Sequence, residues 1–122
     1  MAGLGTNDGG IVINMRHFSD VEVLDQEKRL VRIGSGAVWG DVALKLKQYG
    51  LGLTSGDTAT VGVGGLTHAG GIGWMVRQEG LTIDHLFAAE VVNGRGNIIR
   101  ASKDDAEHVD LLWAVRGGAG NV

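Results

Sequence analysis

One glycine-rich segment restricts the possible structures of this chain more than any other feature. Residues 60–74 read TVGVGGLTHAGGIGW, with the glycines Gly62, Gly64, Gly65, Gly70, Gly71 and Gly73. The apolar residues between them are Val61, Val63, Leu66 and Ile72. A flexible linker would be polar and rich in serine, and a glycine-rich core would cost chain entropy. We therefore expect a loop at a concave surface, with at least two glycines at positive φ and with its apolar side chains facing the core.

Closely spaced glycines allow backbone N–H groups to converge on an anion, and the phosphates of a nucleotide cofactor are the usual anion. A Walker loop requires Gly-Lys-Ser/Thr, but no lysine lies between Lys47 and Lys103. A Rossmann fingerprint requires an acidic ribose partner about twenty residues further on, and the sequence offers no clear one. A Rossmann-type nicotinamide-binding protein is therefore the less favoured alternative, and glycines that only form tight turns are another.

Composition excludes several other classes of protein. The 122 residues allow one domain, and the net charge of −3 without a basic cluster predicts no nucleic-acid partner. No apolar run approaches the ~20 residues of a membrane span and no signal peptide is evident, so we expect a cytoplasmic protein without a membrane partner. The absence of cysteine excludes disulfides and thiolate metal sites. The histidines lack metal-ligand spacing, so we predict no metal, and the catalytic residues stay unknown.

The hydrophobic periodicity predicts an α+β fold, because hairpins outnumber βαβ units. The predicted elements are a buried strand at 10–15, a hairpin of 21–25 and 29–35, a helix at 38–49 ended by Gly50, a short helix at 74–80, a hairpin of 86–92 and 98–102, and a helix at 104–115. Asn93-Gly94 is a favoured turn pair for the second hairpin. Asp104, Asp105 and Glu107 are expected in the first turn of the last helix.

Five motifs follow one another in a recognisable order. They read TNDGGIVINM, GSGAVWGDV, TVGVGGLTHAGGIGW, EGLTIDHLFAAEVVNGRGNIIRAS and LLWAVRGGAGN. Over almost the whole chain they resemble the FAD-linked oxidases of the berberine-bridge-enzyme-like branch of the p-cresol methylhydroxylase/vanillyl-alcohol oxidase (PCMH-type) superfamily. The resemblance implies an α+β FAD-binding subdomain with a mostly antiparallel sheet and flanking helices. It also implies a flavin that takes a hydride from an alcohol, sugar or related C–H donor, with molecular oxygen as the common acceptor.

The same resemblance implies which residues contact FAD. They are Thr58, Val61, Gly62, Gly64, Gly65, Gly70, Gly71, Gly73, Val91, Val92 and Asn121. Residues 58–65 would run along the flavin and pyrophosphate, and the later glycines would form a turn where a side chain would collide with the cofactor or its loop. Val91 and Val92 would face the adenine and ribose through their backbone, and Asn121 would lie near the flavin.

Other residues receive structural roles. Trp39 and Asp41 are expected to pack and to cap a helix, and Trp74 and Trp113 to lie in the core. Tyr49 is expected on a helix face. His68 is predicted either near the cofactor or as a partly exposed loop residue.

Several features differ from the family pattern. Only Ala2 and Gly3 remain of the pyrophosphate loop whose histidine can bond to the flavin, and Thr58 stands where some relatives carry a linking cysteine. Bound FAD is therefore expected to be noncovalent. Ala69 and Ala119 replace glycines of the family motifs.

The substrate domain of the family has no counterpart in this sequence. We therefore expect residues 1–122 to form a partial FAD-binding domain of a flavin-dependent oxidoreductase, inactive alone, with a small-molecule substrate and a possible homo-oligomer in the parent protein. The alternative is a non-catalytic nucleotide-binding or interaction remnant of such an enzyme.

Overall fold

A computed structural model describes residue 3, residues 5–118 and residue 120 of the chain, and these residues have the predicted α+β architecture. The elements in chain order are a 3-10 helix Met15–His17, β1 Val21–Asp25, β2 Leu30–Ile33, α1 Trp39–Lys47, α2 Val63–His68, α3 Val76–Glu79, a 3-10 helix Thr82–His85, β3 Ala88–Val92, β4 Ile98–Ser102 and α4 Val109–Val115. No helix within the described ranges is long and apolar enough to cross a membrane.

Both predicted hairpins are confirmed, and each forms its own antiparallel two-stranded sheet among the described residues. In the first, β1 pairs with β2 so that Val23 lies opposite Val31. In the second, β3 pairs with β4 without a register shift. The Asn93 side chain accepts hydrogen bonds from the N–H groups of Arg95 and Asn97, an Asx turn that fixes the connection between the strands.

The core forms where α1 lies against the first hairpin. Trp39, Val42 and Leu46 of α1 are buried, and they pack with Ala37 and Val63. The predicted packing role of Trp39 is therefore confirmed. The burial of Val42 and Leu46 follows from their spacing of four residues on one helix face.

A glycine with positive φ lies after the C-terminal end of each of the helices α1 and α3. Gly80 has φ +80 as the C-cap of α3, so the predicted end of that helix is confirmed. Gly50 has φ +66, but α1 already ends at Lys47, two residues before the predicted end at residue 49. The predicted cap at Asp41 is wrong, because Val38 is the N-cap residue and no side chain caps the helix. Tyr49 lies beyond the end of α1 rather than on its face, and Lys45 Nζ approaches its ring centre to 5.8 Å.

Two predicted elements differ from the structure. Residues 11–14 form no strand, and Ile11 is 92% exposed, because no described strand pairs with this segment. The last helix begins at Val109 instead of residue 104, since the Asp105 carboxylate accepts a hydrogen bond from the Glu107 N–H and forms a local turn. Asp104, Asp105 and Glu107 therefore precede the helix, and Asp110 is the acidic residue in its first turn.

The two tryptophans expected in the core are on the surface. Trp74 is 87% exposed in the segment before α3, and Trp113 is 79% exposed on α4. On α4 the buried side chains are those of Leu112 and Val115, so Trp113 projects from another face of the helix.

Candidate functional site

The glycine-rich segment contains a short helix, so the prediction of a continuous loop is wrong in this respect. Gly62 is the N-cap of α2, and Gly64 and Gly65 lie within the helix. Two hydrogen bonds from outside support it: the Val63 N–H donates to the Ala37 carbonyl at 2.8 Å, and the Gly64 N–H to the Ser35 carbonyl at 3.1 Å. The poor helix propensity of glycine is overcome here by tertiary contacts.

After α2 the chain turns sharply through two glycines in the left-handed region. Gly70 has φ +110 and Gly71 has φ +81, as expected for at least two glycines of the segment. The apolar side chains of the segment fall into a group that contacts the core and a group that is exposed. Val63 is buried and Leu66 packs against the core, whereas Val61 and Ile72 are 37% and 74% exposed, so the predicted inward orientation of these two is wrong.

The helical period and the turn explain this division of side chains. Val63 and Thr67 are four residues apart and share the buried face of α2. Val61 precedes the helix and Ile72 follows the left-handed turn, so the period of α2 does not orient either residue.

Three glycines of the segment lie directly against their own chain. A Cβ at Gly64 would be 2.8 Å from the Ser35 carbonyl oxygen, and one at Gly71 would be 2.6 Å from Leu66 Cδ2. A Cβ at Gly73 would overlap the Ser55 carbonyl oxygen. Close approach within the fold is therefore sufficient to explain glycine at these three positions.

Gly62 and Gly65 are different, because the fold itself does not require glycine there. Both are exposed, and apart from chain neighbours and the backbone of α2 itself an added Cβ would meet no described heavy atom within 4 Å at either position. Gly62 has φ −70 and ψ 141, which any residue adopts, and Gly65 does not have positive φ. These two positions form an open backbone surface, which we call the open glycine face.

The remaining predicted site residues lie in two separate places. Thr58 is exposed and donates a hydrogen bond to Asp57 Oδ1, and its carbonyl accepts from the Val61 N–H at 3.2 Å. This turn leads directly into the open glycine face. Val91 is half-buried and Val92 is 68% exposed on β3, and no backbone hydrogen bond of the described residues joins that hairpin to the glycine segment. Asn121 lies outside the described residues.

Neither of two surface grooves in the described part of the chain supplies the concave surface expected at the glycine segment. One groove of about 210 Å³ lies beside α4 and is lined by Leu112, Trp113 and Arg116 among others. A second of about 130 Å³ lies beside Trp39 and Met75. None of the predicted site glycines lines either groove. The concave surface at the glycine segment stays a prediction.

The histidines do not assemble into a metal centre within the described part of the chain, where no group of three or more His, Cys, Asp or Glu side chains could hold an ion. His68 is half-buried at the end of α2. His85 Nε2 lies 2.8 Å from the Glu79 carbonyl oxygen, which orients its ring. The pKa of Asp25 is lowered, chiefly because its carboxylate accepts a hydrogen bond from the Lys28 backbone, and this pair belongs to the β1–β2 turn.

Sequence reasoning missed the 3-10 helix Thr82–His85, which contacts the glycine turn directly. The N–H groups of Thr82 and Ile83 donate to the carbonyls of Gly71 and Gly70. The sequence signal was small: Asp84 stands three residues after Leu81, the spacing at which a carboxylate can cap a short helix.

Comparison with known proteins shows the family of the chain. Residues 1–102 match the family described as FAD binding domain. The chain belongs to this family. The cofactor of this family is FAD. The open glycine face fits such a cofactor, because the space beside its backbone is open and a Cβ at either glycine would take up part of that space.

The relatives of this FAD binding domain are FAD-linked oxidoreductases. It is 36% identical over 119 residues to (R)-6-hydroxynicotine oxidase of Paenarthrobacter nicotinovorans, covering 98% of this chain and 25% of that protein. The crystal structure of 6-hydroxy-D-nicotine oxidase from Arthrobacter nicotinovorans superposes with a TM-score of 0.86 at 35% identity, over 93% of this chain and 24% of that one.

A sugar oxidase has the same fold. Glucooligosaccharide oxidase from Acremonium strictum, which carries a 6-S-cysteinyl, 8α-N1-histidyl FAD, gives a TM-score of 0.81 at 36% identity, over 88% of this chain and 22% of that one. The predicted PCMH-type α+β fold is thereby confirmed. The chain spans about a quarter of the length of these relatives.

Proposed function

We propose that this chain supplies part of the FAD-binding surface of a flavin-dependent oxidoreductase of the berberine-bridge-enzyme-like branch, which oxidises an alcohol, sugar or related C–H donor with oxygen as acceptor. One observation carries the proposal: Gly62 and Gly65 are exposed and the fold does not require glycine at either position. Glycine loses more conformational entropy on folding than other residues, and no contact within the fold requires it at these two positions. Close contact between the backbone and a cofactor would explain why glycine is present.

The residues of this chain bind and orient the cofactor in this proposal. Thr58, Val61 and the open glycine face border the flavin and pyrophosphate, while Gly64, Gly70, Gly71 and Gly73 shape the backbone behind that face. Val91 and Val92 border the adenine and ribose through backbone groups, and Asn121 lies near the flavin. When bound, FAD supplies the hydride acceptor. We also propose a cytoplasmic, homo-oligomeric parent protein without nucleic-acid or membrane partners. The net charge of −3 of these 122 residues argues against nucleic-acid binding.

Titration of the chain with FAD tests the proposal. We expect quenching of flavin fluorescence and an induced circular-dichroism band at the flavin absorption, because a bound flavin lies in an asymmetric environment. Adenosine diphosphate should compete, since it shares the pyrophosphate and adenine. Absence of both signals at saturating FAD would contradict the proposed function, and binding without any activity in a full-length protein would favour the non-catalytic remnant.

We predict that FAD bound by this chain is noncovalent. The sequence contains no cysteine, so a cysteinyl bond like that of the Acremonium oxidase is impossible. The family resemblance implies that Thr58 stands where some relatives carry the linking cysteine. His17, His68, His85 and His108 lie outside the loop that carries the linking histidine in the family. After acid denaturation and centrifugation the yellow colour should remain in the supernatant. Colour in the precipitate would show a covalent bond, and substitution of each histidine in turn would then locate it.

The chain alone is predicted to be inactive as an oxidase. It spans about a quarter of its relatives, and the proposal places only cofactor-binding residues in it. A peroxidase-coupled assay with FAD and a panel of sugars, alcohols and 6-hydroxynicotine should give no more peroxide than free FAD does. A substrate-dependent rate above that control would overturn this prediction.

A further inference from the structure

We propose that Thr82 is a positioning residue for the FAD surface. It fixes the Gly70–Gly71 turn and, through that turn, the helix α2 that carries the open glycine face. The inference rests on the proposed function, because it concerns the same surface.

The contacts of Thr82 are concentrated on one carbonyl group. Its N–H donates to the Gly71 carbonyl oxygen at 3.0 Å, and its hydroxyl donates to the same oxygen at 3.3 Å. The next residue, Ile83, donates its N–H to the Gly70 carbonyl at 3.0 Å. Thr82 and Ile83 are 4% and 8% exposed, so water does not readily replace these bonds.

The turn needs an external support of this kind. Gly70 and Gly71 follow Ala69, the C-cap of α2, and two consecutive glycines have many accessible backbone conformations. Thr82 and Leu66 enclose Gly71, since a Cβ there would be 2.6 Å from both Thr82 Cβ and Leu66 Cδ2. The Gly70–Gly71 turn therefore lies between Thr82 and a side chain of α2, and Thr82 can set, through the turn, where the helix ends.

The segment that carries Thr82 is itself held at both ends. The Leu81 N–H donates to Asp84 Oδ2 at 2.8 Å, which closes the 3-10 helix. The other carboxylate oxygen, Oδ1, lies 3.9 Å from Arg116 Nη2 at the end of α4. In the sequence Arg116 begins the RGGAGN run that leads to Asn121. The 3-10 helix therefore connects two segments that we assign to the FAD site.

Three substitutions separate the hydroxyl from the rest of the side chain. Thr82→Val removes the hydroxyl and keeps the branched shape, whereas Thr82→Ser keeps the hydroxyl. Thr54→Val is the matched control, because Thr54 is 1% exposed and its hydroxyl has no hydrogen-bond partner among the described residues.

We expect Thr82→Val to raise the Kd for FAD about 3- to 10-fold and to change the induced flavin circular dichroism. Thr82→Ser should restore both, and Thr54→Val should match the unsubstituted chain. In the apoprotein, Thr82→Val should speed hydrogen exchange at the amides of residues 82 and 83 by a similar factor and leave α1 and the first hairpin unchanged.

The outcomes that would overturn the proposal are distinct from failure of the proposed function. Unchanged FAD affinity in Thr82→Val, or faster exchange over the whole chain, would show that the hydroxyl has no positioning role. Failure of Thr82→Ser to restore binding would assign the effect to the methyl group instead. If the unsubstituted chain bound no FAD, the proposed function would fail, and the local amide exchange of the apoprotein would still decide whether Thr82 fixes the turn.

Discussion

Replacement of Gly71 by alanine should lower the free energy of unfolding by about 2–5 kcal/mol. Gly71 has φ +81, a region that costs a residue with a Cβ about 1–2 kcal/mol. The new methyl group would also overlap the Thr82 hydroxyl and approach Leu66 Cδ2 to 2.6 Å, and overpacking of this kind costs about 1–3 kcal/mol. Urea denaturation followed by tryptophan fluorescence measures the loss.

Two further alanine variants separate these contributions. Gly70 has φ +110, but an added Cβ would meet only Leu81 Cδ1 at 4.0 Å, so Gly70→Ala isolates the backbone strain. Gly52 has ordinary φ and open space, and Gly52→Ala should change stability by no more than about 0.5 kcal/mol. The loss of unfolding free energy should be smallest for Gly52→Ala, larger for Gly70→Ala and largest for Gly71→Ala. If Gly71→Ala lowered the free energy of unfolding no more than Gly70→Ala does, the side chains of Thr82 and Leu66 would have moved to make room for the methyl group.

The second large effect is expected on FAD affinity. Gly65→Val should raise the Kd for FAD by about 10-fold or more, because a branched side chain would occupy the space that the open glycine face leaves for the cofactor. Its effect on unfolding should stay within about 1 kcal/mol, since the new side chain meets no described atom and valine is no worse a helix former than glycine. Fluorescence titration and thermal denaturation of the same preparation give the two values.

The neighbouring glycine provides the control. A Cβ at Gly64 would press on the Ser35 carbonyl oxygen at 2.8 Å, so Gly64→Val should lower stability more than Gly65→Val does. If the glycines only form tight turns, the opposite result is expected at position 65. Gly65→Val would then unfold at a lower temperature, and its folded fraction would bind FAD as before. That result would remove the main support for the cofactor surface.

Local sequence signals were sufficient for much of the fold. Alternating apolar residues predicted both hairpins, and Gly80 marked the end of α3 because a left-handed residue stops a helix. Residues 10–15 have the composition of a strand, but a strand needs a partner, and the local pattern does not say whether one is present. The exposed positions of Trp74 and Trp113 were missed for a similar reason: burial depends on which elements pack together.

The glycine-rich segment stood out in the sequence, but its conformation was predicted only in part. The density of glycines identified the segment, and the left-handed turn was found at Gly70 and Gly71. Helix α2 was missed because Gly64 and Gly65 are poor helix formers, and its support comes from the carbonyls of Ala37 and Ser35, more than 25 positions earlier in the chain. Thr82 was missed because its contact with Gly71 spans 11 positions and has no periodic signature.

The open glycine face has a consequence for laboratory evolution of this domain. Alanine at Gly65 meets no described atom and is the better helix former, by about 0.5–1 kcal/mol. Selection for heat resistance alone would therefore favour that substitution, and the selected clones would accumulate a methyl group on the proposed cofactor surface. A screen for thermal survival should include FAD at a limiting concentration and should score FAD binding. Variants with a more stable helix but a lower affinity for FAD would then be rejected.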